Sequence, residues 1–110
     1  MKIHDNYING IWVGSDKSIK NYNPSDLSDL IGHYAQADGK QVQSALESAR
    51  NAKEAWKDFT PQQRHDVLDH IGSEILARRT DLGHLLSREE GKTLSEATGE
   101  VVRAGMIFKF

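Results

Sequence analysis

The chain has 110 residues, of which 27% are charged and 37% hydrophobic, and its 14 Lys and Arg against 16 Asp and Glu give a formal net charge of −2. The absence of cysteine excludes disulfides, thiolate metal ligands and a cysteine nucleophile within these residues. The near-neutral charge argues against nucleic-acid binding. The sequence shows neither a membrane span of roughly 20 apolar residues nor a signal peptide. We therefore expect a single soluble, cytoplasmic globular segment.

The first third of the chain has strand and turn signals. Asn9 and Gly10 lie between two short β-favouring runs, and because both residues tolerate a positive φ they predict a type I′ hairpin. Two further strands are predicted over residues 18–22 and about 30–36. The Asn-Pro-Ser-Asp sequence at residues 23–26 is predicted to form the turn between them.

Helix is predicted from residue 38 onwards. Asp38 is the predicted N-cap of a first helix, whose apolar residues recur at steps of one, three or four. This face consists of Val42, Ala45, Leu46, Ala49, Ala52 and Trp56. Thr60 and Gln63 have the spacing of a capping box, with Pro61 at the first helical position, so a second helix is expected to begin there.

A third, shorter helix is expected after a joint at residues 78–81, with Thr80 as its cap and Gly91 at its end. Its last residues resemble part of a phosphate-binding P-loop, because Lys92 and Thr93 follow Gly91. The glycine that such a loop requires five residues earlier is replaced by Leu86. Gly91 is therefore interpreted as a helix stop.

The fourth predicted helix begins near Ser95 and is apolar around most of its circumference. Between Val101 and Phe110 only Arg103 and Lys109 are charged, so burial on several sides is expected. The pattern is unfinished at Phe110, which favours a larger fold, truncated at its carboxyl end, over a small complete domain. The Arg103 side chain is predicted either to reach solvent or to face a pocket and meet an anionic group.

The titratable residues do not converge on a reaction centre in the sequence pattern. His65 and His70 are separated by about 140° on a helix at roughly 100° per residue, so a shared metal ion is not expected. Adjacent Glu89 and Glu90 diverge on a helix and form no acid–base pair. No catalytic, cofactor-binding or metal residue is assigned within the chain.

The order of several short motifs carries a family resemblance. In chain order the motifs are the Asn9-Gly10 hairpin with Trp12, Asn23-Pro24-Ser25-Asp26, Ile31-Gly32, Ala55-Trp56, Thr60-Pro61-Gln62-Gln63-Arg64, Glu89-Glu90-Gly91-Lys92-Thr93-Leu94 and Glu100-Val101-Val102-Arg103-Ala104-Gly105. Together they resemble the N-terminal segment of the NAD(P)-dependent aldehyde dehydrogenase superfamily. The sequence from Arg88 to Phe110 is most similar to that of bacterial semialdehyde dehydrogenases such as α-ketoglutaric semialdehyde dehydrogenase.

The resemblance implies the α/β aldehyde dehydrogenase fold, of which this chain would be an α+β piece with an N-terminal hairpin and short strands before about four helices. Residues 1–110 would form the N-terminal part of the cofactor-binding region, without the catalytic domain. The family oxidises an aldehyde to a carboxylate with a cysteine nucleophile, an oxyanion hole and NAD or NADP. None of those positions falls in this chain, which alone is expected to be inactive and to bind no cofactor.

The resemblance also implies a role for Arg103, because its helix resembles the one that lines the family's substrate entrance. A guanidinium there would attract the distal carboxylate of an acidic semialdehyde. The expected partners are the remainder of the dehydrogenase chain and, at full length, a homodimer or homotetramer, without nucleic acid or membrane. Uncovered apolar faces predict marginal stability or self-association of the chain alone.

Two alternatives from other classes remain open at this point. A small α+β interaction module would bind a partner through the apolar helix between Val101 and Phe110. A small cofactor-independent enzyme is less favoured, because no nucleophile or acid–base pair converges.

Overall fold

A computed structural model describes residues 2–110 and contains, within them, two small sheets and four helices. The strands are β1 (Ile3–His4), β2 (Asn6–Ile8), β3 (Ile11–Val13), β4 (Ser18–Asn23) and β5 (Asp26–Ala35). The helices are α1 (Gly39–Asp58), α2 (Pro61–Ala77), α3 (Arg79–Glu90) and α4 (Leu94–Lys109). The predicted order of strands followed by helices is confirmed. No helix in this part of the chain combines the length and hydropathy of a membrane span.

The predicted hairpin is present as the antiparallel pair β2–β3. Asn9 and Gly10 adopt φ values of 53° and 76°, the left-handed conformation that a type I′ turn requires at both positions. Tyr7 lies opposite Trp12, with 4.9 Å between their ring centroids. The turn residues thus set the register that brings the two aromatic rings together.

The other sheet has the strand order β1-β5-β4. Strand β5 begins at Asp26 rather than near Leu30, because a register shift at Tyr22 lets Asn23 pair with Asp26 across the turn. Three of the first four residues of β5, Asp26, Ser28 and Asp29, are polar, so the sequence pattern does not indicate a strand there. Strand β1, which pairs in parallel with β5 over two residues, was also not predicted.

Three helix-terminal predictions are confirmed by hydrogen bonds or backbone geometry. The Asp38 carboxylate accepts from the Gln41 amide at 2.8 Å. Thr60 and Gln63 form the reciprocal capping box, with distances of 3.2 and 2.9 Å. Gly91 ends α3 in the left-handed conformation with φ 67°.

One predicted helix start is wrong, and another differs by one residue. Helix α3 begins at Arg79, directly after α2, because the Arg78 amide still donates to carbonyls of α2. Thr80 therefore lies inside α3 and cannot act as its N-cap. Helix α4 begins at Leu94 rather than near Ser95. Its N-cap is Thr93, whose hydroxyl accepts from the Glu96 amide at 3.3 Å.

Helices α2, α3 and α4 pack into one layer, called here the helical layer, in which α4 contacts both of the others. The helices approach closely at glycines. A Cβ atom on Gly105 would lie 2.8 Å from Leu76 Cγ, and one on Gly83 would lie 2.6 Å from Thr98 Oγ1. Ala97 and Val101 are buried in this layer, so the main core of the described chain lies around α4.

The chain is flat and open, with extents of 48 × 35 × 17 Å and a radius of gyration of 16.8 Å. A compact domain of this length has a radius of about 13 Å. Its accessible surface of 8335 Å² exceeds the about 6,100 Å² typical of a folded monomer of this mass. Helix α4 is covered on one side only, so the burial on several sides expected from its sequence is not provided by residues 2–110.

Candidate functional site

Arg103 lies on the exposed side of α4, above a shallow groove of about 480 Å³. The apolar wall of this groove is formed by Met106, Ile107 and Phe110, of which Met106 is 53% and Ile107 65% exposed. Because the sequence places these residues three, four and seven positions after Arg103, they share one face of the helix. The Arg103 side chain is therefore exposed and also lines a groove, while the predicted contact with an anionic group stays a prediction.

The other cation of this helix, Lys109, has a different position. Its Nζ donates to Asp69 Oδ1 at 2.9 Å and to Ser73 Oγ at 2.8 Å, both on α2. The hydrogen bond from Lys109 lowers the pKa of the Asp69 carboxyl. Lys109 thus ties α4 to α2, whereas no ion pair within residues 2–110 engages the Arg103 guanidinium.

A groove with apolar walls and a guanidinium at its rim suits an apolar chain that ends in an anionic group. Besides Arg103 and Lys109, the residues that line the groove are apolar, and no carboxylate, histidine or hydroxyl lies among them. Elsewhere in the described chain, no cluster of His, Asp or Glu has metal-ligand geometry. Any role for this groove in holding a ligand is a proposal.

The carboxylates of Glu89 and Glu90 point to separate structural partners. Glu89 accepts from the Asn21 side-chain amide at 3.1 Å, and Glu90 pairs with Lys92 at 2.9 Å. Lys92 Nζ also donates to Glu100 Oε1 at 2.8 Å. Its hydrogen bonds to Glu100, and secondarily to Glu90, raise the pKa of its ammonium group. The Gly-Lys-Thr sequence is thus a turn held by ion pairs between α3 and α4.

One polar cluster was missed by sequence reasoning and is called here the sheet–helix junction. Its members are Asn21, Ser25 and Asp29 on the sheet and Arg88, Glu89 and Gly91 at the end of α3. Arg88 donates to both oxygens of Asp29, at 2.9 Å from Nε and 2.6 Å from Nη2. The Arg88 hydrogen bond, with a second from Asn23, lowers the pKa of Asp29 to about 2. Because Asp29 and Arg88 are 59 positions apart, no local pattern joins them.

The described residues do not form a dinucleotide-binding cradle. The sequence has no Gly-x-Gly-x-x-Gly motif, and the parallel pairing within residues 2–110 is the two-residue contact of β1 with β5, without a crossover helix between them. A nicotinamide cofactor would therefore have to be held by other segments.

Comparisons with known proteins define the class. The chain superposes with a TM-score of 0.93 on a variant of Thermus thermophilus 1-pyrroline-5-carboxylate dehydrogenase, at 30% identity over 98% of this chain and 21% of that one. The family model described as "Aldehyde dehydrogenase family" matches residues 12–110. The chain therefore belongs to the aldehyde dehydrogenase family.

Two curated relatives show where the similarity extends. Alpha-ketoglutaric semialdehyde dehydrogenase of Bacillus subtilis (strain 168) is 34% identical over 96% of this chain and 22% of the relative. Malonate-semialdehyde dehydrogenase of Pseudomonas aeruginosa is 36% identical over 87% of this chain and 19% of the relative. The chain thus spans about a fifth of the length of these relatives and matches their N-terminal part.

Proposed function

We propose that residues 1–110 form the N-terminal part of the cofactor-binding region of an NAD(P)-dependent aldehyde dehydrogenase, and that the whole enzyme oxidises an aldehyde to a carboxylate. The observation that supports this is the family match over residues 12–110, which covers nearly the whole chain but about a fifth of its relatives. The nucleophile, the oxyanion donors and the NAD- or NADP-binding segments would come from the remainder of the dehydrogenase chain. This chain alone is expected to be inactive.

Within that enzyme, Arg103 is proposed to lie at the substrate entrance and to attract the distal carboxylate of an acidic semialdehyde. Three observations support this role: the exposed guanidinium, the apolar groove beside it and the semialdehyde substrates named for several relatives. A guanidinium binds a carboxylate through paired, charge-assisted hydrogen bonds, while the groove would contact the methylene chain of the substrate.

The family-level proposal is tested with a chimera. The matching N-terminal segment of the Bacillus subtilis relative is replaced by residues 1–110, and aldehyde-dependent reduction of NAD and NADP is measured. Retained activity is expected, because the fold of the segment is shared. A folded chimera without any activity would contradict the proposal.

The role of Arg103 is tested in the same chimera with Arg103→Ala. Loss of a charge-assisted hydrogen bond is expected to raise KM for an acidic semialdehyde by about 10-fold or more, while KM for a neutral aldehyde changes little. Arg50→Ala, at an exposed position of α1, is the matched control and is expected to affect neither substrate. Equal effects of Arg103→Ala on both substrates would contradict the role.

The remaining expectations on partners follow from the same proposal. The full-length protein is proposed to be a cytoplasmic homodimer or homotetramer, without nucleic-acid or membrane partners. The alternative is a separate interaction module, and the exposed Ile107 and Phe110 side chains favour it. It predicts that the chain binds a defined partner through α4 and that the chimera fails.

A further inference from the structure

The sheet formed by β1, β5 and β4 meets the helical layer at the sheet–helix junction, where side-chain hydrogen bonds join the two. Among the described elements, the most extensive contact between them is that of β4 with α3. The buried apolar residues of the helical layer, Ala97 and Val101, pack inside it, while Tyr22 of β4 and Leu27 of β5 are 42% and 76% exposed. The Tyr22 and Leu27 side chains therefore contribute little to holding the sheet on the helices.

We propose that the Asp29–Arg88 ion pair fixes the β4–β5 sheet on the end of α3 and thereby sets the orientation of α4 relative to the sheet. The proposal concerns the internal geometry of this chain and is independent of its proposed function. Asp29 and Arg88 are positioning residues in this role, since neither lies in the groove beside Arg103.

The geometry of the pair suits this role. Two parallel hydrogen bonds between a guanidinium and a carboxylate restrain the relative orientation of both planar groups, which a single contact does not. The side chains are 43% and 28% exposed, so water competes less than at a fully exposed pair. Asn23 donates to the same carboxylate at 3.2 Å, which holds Asp29 in place from the sheet side.

The restraint is passed from α3 to α4 through the turn between them. A Cβ atom on Gly91 would lie 2.6 Å from Ser25 Oγ and 2.9 Å from Pro24 Cγ, so the turn lies directly against the β4–β5 turn. Ser25 Oγ donates to the Gly91 carbonyl at 3.2 Å, and Ser87 Oγ donates to the Lys92 carbonyl at 2.7 Å. The start of α4 is thus tied to the same point of the sheet as the ion pair.

The absence of cysteine from the chain allows a direct test with paired spin labels. Labels are attached to Lys20→Cys on β4 and Ser95→Cys on α4, both at exposed positions, in the 110-residue chain diluted with unlabelled chain. The distance distribution is expected to be narrow in the parent and at least about twofold broader after Asp29→Asn or Arg88→Gln, because one partner of the ion pair is lost. The double variant is expected to broaden it no further.

Two controls separate local reorientation from unfolding. Labels at Glu74→Cys and Ser95→Cys, which lie within the helical layer, are expected to keep their distribution in all variants, with unchanged helical circular dichroism. Lys57→Gln removes an exposed pair with Glu54 at 4.0 Å and is expected to change neither distribution. An unchanged sheet–helix distribution in the variants, or equal broadening of both label pairs, would overturn the proposal.

Discussion

Helices α1 and α4 both carry a regular apolar face, but they bury it to very different extents. In α4, Ala97, Val101 and Gly105 are buried against α2 and α3. In α1, no residue is buried over its 20 residues, and Val42 and Leu46 are 51% and 59% exposed. Apolar periodicity thus shows which face of a helix is to be covered, while the covering surface depends on segments distant in sequence.

The contacts of α1 explain this difference. Among the described elements, its main neighbour is the hairpin strand β2, and side-chain hydrogen bonds join α1 to this strand and to the hairpin turn. Asn6 donates to Gln41 Oε1 at 2.9 Å, and Ser48 donates to Asn9 Oδ1 at 3.1 Å. This hairpin–α1 unit, consisting of β2, β3 and α1, is therefore held by polar contacts, and the helical layer by close backbone packing.

The largest expected effect comes from breaking the backbone packing of the helical layer. Gly105→Val places a branched side chain where even a Cβ atom would lie 2.8 Å from Leu76 Cγ. Overpacking of this kind is expected to lower the free energy of unfolding by about 3 kcal/mol or more, measured by urea denaturation of the chain. Gly99→Ala is the matched control in the same helix, because a Cβ there meets nothing within 4 Å. It is expected to stabilise by about 0.5–1 kcal/mol, and similar losses in both variants would contradict the packing argument.

A smaller effect is expected at the two left-handed glycines. Gly91→Ala forces a φ of 67° on an L-residue and crowds Ser25 and Pro24, so a loss of about 2 kcal/mol or more is expected. Gly10→Ala in the hairpin has a φ of 76° but meets nothing within 4 Å, so only the conformational cost of about 1 kcal/mol is expected. Equal losses of unfolding free energy would show that the contact between Gly91 and the β4–β5 turn is loose.

The sheet–helix junction is expected to show a dependence on acid. The pKa of Asp29 is lowered from the model-peptide value of 3.8 to about 2 by hydrogen bonds from Arg88 and Asn23. A carboxyl with a lowered folded-state pKa stabilises the fold above its unfolded pKa, and this contribution is lost as the pH falls through the folded pKa. Stability is therefore expected to decrease between about pH 4 and 2.

Asp29→Asn is the variant that isolates this contribution. Urea denaturation at a series of pH values is expected to show a shallower loss of stability between about pH 4 and 2 than in the parent. Asp16→Asn, which alters an exposed carboxylate of the loop before β4, is expected to leave the slope unchanged. A parent-like slope in Asp29→Asn would place the acid sensitivity elsewhere.

The features that were predicted correctly from the sequence are local ones, whose structure depends on residues within three or four positions of one another. The Thr60 capping box and the Asn9-Gly10 turn depend on neighbouring residues alone, so their structure follows from local chemistry. The N-cap of α4 also has a local signal, since Thr93 stands three residues before Glu96. The Asp29–Arg88 pair had no such signal, because it depends on how the sheet is placed on α3.

The candidate site was predictable to the same extent. The spacing of Arg103 from Met106, Ile107 and Phe110 places all four on one helical face, and the structure shows them lining one groove. Residues 2–110 leave Met106 and Ile107 of that face exposed, and the role of Arg103 stays a prediction. Local spacing therefore defines the face, and the long-range fold defines its environment.

The smallest expected effects lie in the hairpin–α1 unit. Leu46→Ser alters a side chain that is already 59% exposed, so a change in unfolding free energy within about 0.5 kcal/mol is expected. Leu76→Ser, in the helical layer against Gly105, is the matched variant and is expected to lose about 2–5 kcal/mol, because it removes packed apolar atoms. A large loss of stability in Leu46→Ser would show that α1 is covered in solution. If self-association covers it, the loss would depend on protein concentration.

Trp12 and Trp56 both lie in the hairpin–α1 unit. Their fluorescence is therefore expected to change at a lower urea concentration than the helical circular dichroism. Coincident transitions would show instead that the hairpin–α1 unit and the helical layer unfold together.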